Sequence, residues 1–250
     1  MTDQNFKDYF STQSADYARF RPRYPEALFA WLADISPGKA LAWDCATGNG
    51  QAAVGLAAHF ARVVATDASA AQIAGAEGHE RIEYRVAPAE ASGLPDASTD
   101  LVTVAQALHW FDLEHFYGEV RRVLKPGGVV AAWCYNLLSI SPEVDAQLND
   151  FYFNVVGPYW PPERKYLERA YADLPFPFAR IDAPAFAMEA EWTLAQLLGY
   201  LGTWSATVRY QAERGADPRI TLAAELARLW PAAEGTRRVR WPLAVLVGRV

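Results

Sequence analysis

The residues most able to do chemistry in this chain lie in a short loop that follows an apolar run. The run Ala40–Trp43 leads into the acid Asp44, and the sequence Cys45-Ala46-Thr47-Gly48-Asn49-Gly50 then precedes a predicted helix. The two glycines allow positive φ and let a ligand lie against bare backbone. A strand, a tight turn and a helix N-terminus in this order are typical of a nucleotide-binding corner in a parallel sheet. The loop therefore predicts a nucleoside-cofactor site, with an ordinary strand-to-helix turn as the alternative.

The segments around this loop alternate between predicted strands and helices. The predicted strands are Lys39–Trp43, Arg62–Asp67, Ile82–Ala87, Asp100–Ala105 and Val129–Cys134. The predicted helices between them are Gln51–Ala61, Ser69–Gly78 and Asp112–Leu124. This alternation indicates a doubly wound, mostly parallel sheet of the α/β class, in which ligands bind at the carboxyl ends of the strands.

The regular alternation stops after Asn136, and an aromatic-rich region follows. Its predicted helices are Ser141–Val156, Glu163–Ala172, Thr193–Leu201, Ala206–Arg214 and Arg219–Leu229, and its predicted strands are Phe178–Glu189 and Arg237–Val250. We expect a single domain over residues 1–250. It would comprise an N-terminal lid segment (1–35), a cofactor-binding half (36–136), an inserted helical cap (139–235, with a sheet strand near 178–189) and a final strand (236–250).

Three further groups of residues follow predicted strands and so belong to the same edge of the sheet. Asp67 ends the second strand, where a carboxylate can accept hydrogen bonds from both hydroxyls of a ribose; capping of the next helix is the alternative. Ala89 and Glu90 follow the third strand, placed to touch a purine or simply to form an exposed loop. The polar and aromatic cluster Gln106–Trp110 follows the fourth strand.

His109 lies in this cluster and is the histidine best placed for catalysis. An imidazole near its ordinary pKa can accept a proton from a hydroxyl or an amine. The alternative is a packed histidine that shapes the pocket, and the sequence leaves both open. No group of Cys, His and Asp residues has metal-ligand spacing, so we expect no metal.

Composition and charge narrow the class of protein. The 250 residues carry a net charge of −6, whereas nucleic-acid binders usually show a basic face, so we do not expect a nucleic-acid partner. The apolar runs are short, and the N-terminus lacks the features of a signal peptide, so we expect no membrane segment and a cytoplasmic location. The two cysteines, Cys45 and Cys134, indicate a reducing compartment.

Four of these segments resemble, in the expected order, the successive motifs of class I S-adenosylmethionine-dependent methyltransferases. They are the Asp44–Gly50 loop, Asp67, the stretch Leu94–Asp100 and the stretch Arg122–Gly128, within residues 36–136. The segments Tyr17–Pro25, Gln106–Trp110 and Tyr200–Ser205 are similar to the small-molecule branch that includes trans-aconitate methyltransferase-like proteins.

The resemblance implies S-adenosylmethionine as the cofactor and assigns residues to it. The implied cofactor-binding residues are Asp44, Ala46, Thr47, Gly48, Asn49, Gly50, Asp67, Ala68, Ala89, Glu90 and Gln106. In this set the glycines lie beside the methionine part of the cofactor, and Asp67 binds its ribose. The Ala89–Glu90 pair flanks the adenine, and Gln106 lies near the sulfonium. The implied substrate residues are Tyr17, Arg21, His109, Trp110 and Trp204.

The resemblance also implies a Rossmann-like sheet of seven strands. Its last strand, Arg237–Val250, would pair with Phe178–Glu189 and insert antiparallel beside the fifth strand. One position departs from the family pattern, because Ala46 stands where the loop commonly has its first glycine. A methyl group is tolerated there if φ is negative, so the departure alters the loop geometry without cancelling the assignment.

The resulting hypothesis is methyl transfer to a small-molecule acceptor, at a carboxylate or a hydroxyl, by in-line displacement. The candidates to bind an anionic acceptor are Arg21, Arg23 and Arg209, and the candidates to close the pocket are Tyr152, Tyr159, Trp160, Tyr200 and Trp204.

A nicotinamide-dependent oxidoreductase is an alternative, because Gly48–Ala53 satisfies G-x-G-x-x-A, although Asp44 would repel a pyrophosphate. A non-catalytic cofactor-binding module is another. The identity of the acceptor and the oligomeric state stay open.

Overall fold

The computed structural model of the protein describes residues 22–231 and 235–250. The strands are β1 (Leu41–Cys45), β2 (Arg62–Asp67), β3 (Ile82–Val86), β4 (Thr99–Ala105), β5 (Leu124–Cys134), β6 (Ala179–Arg180), β7 (Phe186–Trp192) and β8 (Arg237–Arg249). The α-helices are α1 (Glu26–Ile35), α2 (Gln51–Ala57), α3 (Ala70–Ala74), α4 (Leu113–Val123), α5 (Pro142–Asp150), α6 (Arg164–Glu168), α7 (Leu194–Gly202), α8 (Ser205–Arg214) and α9 (Arg219–Leu229). A π-helical turn, Phe151–Val155, follows α5, and 3₁₀ turns lie at Leu108–Trp110 and Gly157–Tyr159.

The main sheet has the strand order β3-β2-β1-β4-β5-β8-β6. The strands β1 to β5 run parallel, whereas β8 runs antiparallel to β5. This arrangement confirms the predicted Rossmann-like α/β sheet with an antiparallel C-terminal strand. The strand order reverses between β1 and β4, so a crevice opens at their carboxyl ends. The loop after β1 and the Gln106 segment after β4 lie at this crevice.

The strand β8 is thirteen residues long and belongs to two ladders. Residues 244–249 pair with β5, and residues 237–243 pair with β7. The strand predicted near 178–189 is divided into β6 and β7, and both pair with β8. Pro184 lies between them, and a proline cannot donate a ladder hydrogen bond, which explains the interruption.

Local sequence signals explain where several helices begin. Ser69 caps α3 and Asp112 caps α4, each accepting a hydrogen bond from a backbone N–H in the first turn. Thr193 opens α7 with a reciprocal capping box to Gln196. These side chains satisfy N–H groups that have no partner within the helix. The predicted starts of α3, α4 and α7 therefore agree with the structure to within one residue.

Helix α1 packs on one face of the sheet and belongs to the main core. Its residues Leu28, Phe29 and Leu32 are buried. The ring of Phe29 lies so close to Gly55 of α2 that a Cβ at that glycine would be 2.1 Å from a ring carbon. The last ten residues of the predicted N-terminal lid segment are thus a packed helix.

The opposite, amino edge of the sheet is held by a buried carboxylate. Asp100 of β4 accepts hydrogen bonds from the backbone N–H groups of Ala40 and Leu41, at 2.9 and 3.0 Å. Its other oxygen accepts from Lys125 Nζ at 2.7 Å. One side chain therefore joins the starts of β1, β4 and β5, which places their far ends in a fixed relation at the crevice.

The aromatic-rich region forms a second core of its own above the β7–β8 ribbon. The large side chains buried in it are Tyr152, Trp192, Tyr200, Trp204, Trp230 and Trp241. Their rings meet edge to face or tilted, for example Trp192 on Trp241 at 4.8 Å between centroids. Most of the aromatic residues predicted to close a pocket are therefore packing residues of the cap.

The expected backbone conformation of Ala46 is wrong. Its φ is +53°, in the left-handed region, and not negative. The side chain of an L-residue is disfavoured there by roughly 1–2 kcal/mol, and glycine carries no such penalty. The loop therefore keeps the conformation that a glycine would adopt, and the alanine bears the strain.

We expect Ala46→Gly to raise the free energy of unfolding by about 0.5–1 kcal/mol, because relief of the strain outweighs the added freedom of the unfolded chain. Urea denaturation of the two proteins measures the difference. The control is Ala224→Gly, at an exposed position inside α9, which should lower the free energy of unfolding by about 0.5–1 kcal/mol. Equal destabilisation by both substitutions would contradict the strain at Ala46.

Candidate functional site

Asp44 lies at the centre of the site. Its side chain is beneath the loop and does not reach the loop surface. The side chain is fully buried. One carboxylate oxygen accepts a hydrogen bond from Thr47 Oγ1 at 2.5 Å, and the other accepts from Thr103 Oγ1 of β4 at 2.8 Å. Burial raises the pKa of Asp44 to about 6, although both hydroxyls oppose the shift. Asp44 thus ties the loop to β4 and places a titratable charge under it.

Asp67 joins the end of β2 to the same loop. One of its oxygens accepts from the backbone N–H of Gly48 at 2.9 Å, and the other accepts from the N–H of Ser69 at 2.8 Å. The side chain that caps α3 is Ser69, whose Oγ accepts from Gln72 N–H. The cap role considered for Asp67 is therefore filled by its neighbour, and the carboxylate of Asp67 is oriented at the crevice.

The glycine loop leaves its backbone open toward the crevice. Gly48 has φ +57°, and a Cβ there would meet nothing closer than Gln72 Oε1 at 3.8 Å. Gly50 has φ +88°, and a Cβ there would collide with the Tyr84 hydroxyl at 2.3 Å. The two glycines serve different purposes, since Gly50 allows packing against β3 and Gly48 leaves space for a ligand.

The segment after β3 lies on the other side of Asp67. The N–H of Ala87 donates to the backbone oxygen of Asp67 at 3.0 Å. Ala89 packs against the main core, and Glu90 Oε1 accepts from the N–H of Asp112 at 3.3 Å. Ala68 is exposed beside them. The structure therefore brings the implied ribose and adenine residues to one edge, next to the loop.

Gln106 carries the clearest sign of a missing partner. Its φ is +59°, a strained conformation for a non-glycine residue, and strain of this kind clusters at functional sites. Its Nε2 donates to the backbone oxygen of Tyr135 at 3.1 Å. Its Oε1 is buried and has no hydrogen-bond partner in the structure. A buried polar atom without a partner costs about 1–3 kcal/mol, so this amide fits a ligand with a donor group.

His109 lies half-buried three residues after this position. Its Nδ1 is 3.1 Å from Tyr171 Oη, and its ring is tilted against the Trp110 ring at 4.7 Å between centroids. Burial, together with the positive charge of Arg164, lowers the pKa of His109 to about 3. An imidazole with such a pKa is a weak proton acceptor at neutral pH, which favours the pocket-shaping interpretation that the sequence left open.

Arg164 is a site residue that the sequence analysis missed. Its Nε donates to Tyr152 Oη and its Nη2 donates to Asn136 Oδ1, both at 2.7 Å. The guanidinium lies 4.5 Å over the Trp160 ring. Asn136 follows β5, so this contact brings the cap onto the carboxyl edge of the sheet. The available signal in the sequence was an arginine two residues after the aromatic and proline-rich stretch Gly157–Pro162.

Tyr17 and Arg21, two of the predicted substrate residues, lie outside the described residues. Two other candidates, Trp204 and Arg23, are not brought to this edge. Trp204 is buried in the cap core, where its ring lies 5.5 Å from that of Trp160. Arg23 is exposed and pairs with Glu77 on the surface, at 3.0 Å.

Arg209, the remaining predicted anion-binding residue, donates to the backbone oxygen of Tyr159 at 3.3 Å. It lines a shallow depression on the outside of the cap with Pro158, Trp160 and Glu213. The neighbouring carboxylate of Glu213 makes this depression a poor place for an anion.

Within residues 22–231 and 235–250, no α-helix combines the length and the apolar character needed to cross a bilayer. The same ranges contain no group of three His, Cys, Asp or Glu side chains arranged to hold a metal ion.

Comparison with known proteins gives consistent similarities. Residues 43–132 match a family described as a methyltransferase domain. A Dictyostelium discoideum protein named as a methyltransferase is 32% identical over 255 residues, which cover 99% of this chain and 97% of that protein. A Saccharomyces cerevisiae protein named as an S-adenosylmethionine-dependent methyltransferase is 32% identical over 141 residues, which cover 52% of this chain and 47% of that protein.

A solved structure supports the same conclusion at the level of the whole fold. It is described as a type II methyltransferase from Anaeromyxobacter dehalogenans, and it is 48% identical with a TM-score of 0.88. The match covers 92% of this chain and 97% of that one. With a glycine loop, an acid at the end of β2 and a reversed strand order at one crevice, these similarities show that the chain belongs to the class I S-adenosylmethionine-dependent methyltransferases.

Proposed function

We propose that the protein transfers a methyl group to an oxygen atom, a carboxylate or a hydroxyl, of a small-molecule acceptor. The observation that carries this proposal is the contact between cap and sheet. Arg164 of the cap bonds to Asn136 just beyond β5, and its charge acts on His109 beyond β4. A crevice covered in this way suits a small acceptor better than a polymer chain. The branch that includes trans-aconitate methyltransferase-like proteins is the finer assignment that we propose.

The residues at the crevice fit S-adenosylmethionine. The unpartnered Gln106 Oε1 and the open backbone at Gly48 are features that a bound ligand would satisfy. We assign the ribose to Asp67, the adenine to Ala89 and Glu90, and the methionine part to the loop from Ala46 to Gly50. Asp44 acts from below, through Thr47 and through its charge. Ala68 lines the exposed rim of the same site.

When bound, S-adenosylmethionine supplies an electrophilic methyl group, so the protein does not need to create a nucleophile. The task of the chain is to orient the acceptor and exclude water. A carboxylate acceptor needs no general base, whereas a hydroxyl benefits from one. Because His109 is a weak base, a carboxylate suits this site better. The general-base role of His109 stays the second possibility, for a hydroxyl acceptor.

Charge supports a small-molecule acceptor over a nucleic acid. Asp44, Asp67 and Glu90 lie at the carboxyl edge of the sheet, and the chain as a whole is acidic. A phosphate backbone would be repelled by this edge. We retain as proposals the cytoplasmic location, the cofactor half (36–136), the cap (139–235) and the final strand (236–250). The lid expected over 1–35 is restricted to the part that precedes α1, because α1 is packed in the main core. Family membership favours methyl transfer over the nicotinamide-dependent alternative.

We expect the affinity for S-adenosylhomocysteine to rise about tenfold between pH 5 and pH 7. Below pH 6 Asp44 is protonated, and the negative charge that favours the ligand ammonium is lost; above pH 6 it is present. Titration calorimetry across this range measures the change. Asp44→Asn should flatten the profile. A profile of wild type that matches that of the variant would contradict the role of Asp44.

We expect Asp67→Asn to weaken binding of S-adenosylhomocysteine by about ten- to a hundredfold, because hydrogen bonds to a charged group are worth about 1.5–3 kcal/mol. Calorimetry at pH 7 measures the loss. The asparagine retains an oxygen that can accept from Gly48 N–H or Ser69 N–H. Asp34→Asn, at an exposed acid paired with Lys39, is the control and should leave the affinity unchanged. Equal affinities for the two variants would remove Asp67 from the ribose site.

The proposed acceptor class is tested by the release of S-adenosylhomocysteine from S-adenosylmethionine. The purified protein is incubated separately with small carboxylic acids, small hydroxyl compounds, transfer RNA and a protein mixture. We expect turnover with small molecules alone, and fastest with a carboxylic acid. Turnover confined to RNA or protein contradicts the proposal. Cofactor binding without turnover on any acceptor indicates the non-catalytic module.

A further inference from the structure

We propose that Arg164 and His109 together bind a carboxylate of the acceptor, distinct from the oxygen that is methylated. This inference deepens the proposed function and rests on it. The acceptor would then carry at least two oxygen groups, one held by the protein and one directed to the methyl group. A guanidinium on the methylated oxygen itself would withdraw its negative charge, so the anchoring group must be a second one.

Arg164 is held rigidly by one edge of its guanidinium. The Nε and Nη2 atoms bond to Tyr152 Oη and Asn136 Oδ1, both at 2.7 Å. The plane of the group lies over the Trp160 ring at 4.5 Å and near the Tyr152 ring at 5.4 Å. Neither protein acceptor is a carboxylate. The Nη1 atom donates no hydrogen bond to the described residues. The far end of the guanidinium, formed by Nη1 and Nη2, therefore presents two parallel N–H donors, the pattern that matches a carboxylate.

The charge of Arg164 is not neutralised by a direct partner. Within residues 22–231 and 235–250, no carboxylate oxygen lies within 4.0 Å of its nitrogens, although other arginines make such pairs. The acid nearest by bonding is Glu168, whose Oε1 accepts from the same Tyr152 hydroxyl at 2.8 Å. Glu168 is exposed and stands on the other side of that hydroxyl. A partly buried guanidinium held over the crevice is therefore suited to an anion from outside the chain.

His109 adds a neutral donor beside this charge. The Tyr171 hydroxyl is buried and lies 3.1 Å from His109 Nδ1, its one side-chain hydrogen-bond partner among the described residues. The tyrosine proton is therefore directed at Nδ1, which leaves the imidazole proton on Nε2. This network assigns His109 as a hydrogen-bond donor. The strands β4 and β5 are neighbours, with Ala105 opposite Trp133, so His109 beyond β4 and Asn136 beyond β5 follow adjacent strand ends. Arg164 bonds to that asparagine, and its charge also lowers the pKa of His109.

One guanidinium and one neutral imidazole suit a singly charged, planar anion. A phosphate dianion would need more positive charge, and Asp44, Asp67 and Glu90 at the same edge would repel it. Trp160 and Tyr152 frame the guanidinium with flat apolar surfaces, which exclude water around the bound group. These features favour a carboxylate over a phosphate.

The test is calorimetric binding of succinate, citrate, benzoate and inorganic phosphate to the full chain saturated with S-adenosylhomocysteine. Wild type should bind at least one of the three carboxylates, and more tightly than phosphate. Arg164→Gln should weaken that binding at least tenfold and change the affinity for S-adenosylhomocysteine by less than twofold. Arg164→Lys keeps the charge without the two-donor end and should give an intermediate loss. Arg169→Gln, at an exposed arginine on the next turn, is the matched control and should bind as wild type does.

The outcomes separate this inference from the proposed function. Carboxylate binding that is equal in wild type and Arg164→Gln overturns the anchoring role, as does the absence of carboxylate binding to a protein that binds S-adenosylhomocysteine. Tighter binding of phosphate overturns the assignment of a carboxylate. Failure of wild type to bind S-adenosylhomocysteine instead overturns the proposed function. Intact cofactor affinity in each variant shows that it is folded, so a loss of carboxylate binding then supports the inference.

Discussion

The carboxylate of Asp44 holds together the three parts of the structure that define the crevice. It belongs to β1, it receives a hydroxyl hydrogen bond from Thr47 in the loop, and it receives another from Thr103 in β4. The neighbouring strands β1 and β4, which are distant in sequence, are thereby fixed relative to each other at the crevice where a ligand would bind. The arrangement removes the carboxylate of Asp44 from solvent. Burial disfavours the charged form, and the pKa of Asp44 is raised for that reason. The buried, hydrogen-bonded position of Asp44 thus accounts for both the fixed geometry of the loop and the pH-sensitive charge beneath it.

Two strained residues lie at the same edge. Ala46 follows β1 and Gln106 follows β4, and both adopt positive φ without being glycine. Hydrogen bonds to neighbouring strands hold these conformations. The N–H of Gln106 donates to the backbone oxygen of Trp133, and the N–H of Thr47 donates to that of Thr66. Backbone held in this way presents its polar groups without reorganisation when a ligand arrives. The orphaned amide oxygen of Gln106 and the open backbone of Gly48 are results of this preorganisation.

The sheet could be predicted from the sequence because its signals are local. The strand β2 and the helix α9 have the predicted bounds, and Ser69 and Asp112 begin helices as their side chains indicate. The conformation of Ala46 could not be predicted, because the contacts that impose it come from other strands. Arg164 was missed for a related reason. Its partners Asn136 and Tyr152 are distant in sequence, and only the folded cap brings them together.

The long strand β8 has a consequence for motion. Its first half is hydrogen-bonded to the cap strand β7, and its second half is hydrogen-bonded to β5 in the main sheet. The cap and the main sheet therefore share one continuous strand, and a swing of the cap as a whole would have to bend that strand where the two ladders meet, between Leu243 and Ala244. We therefore expect small molecules to enter and leave through local shifts of short helices and turns, such as those around α6.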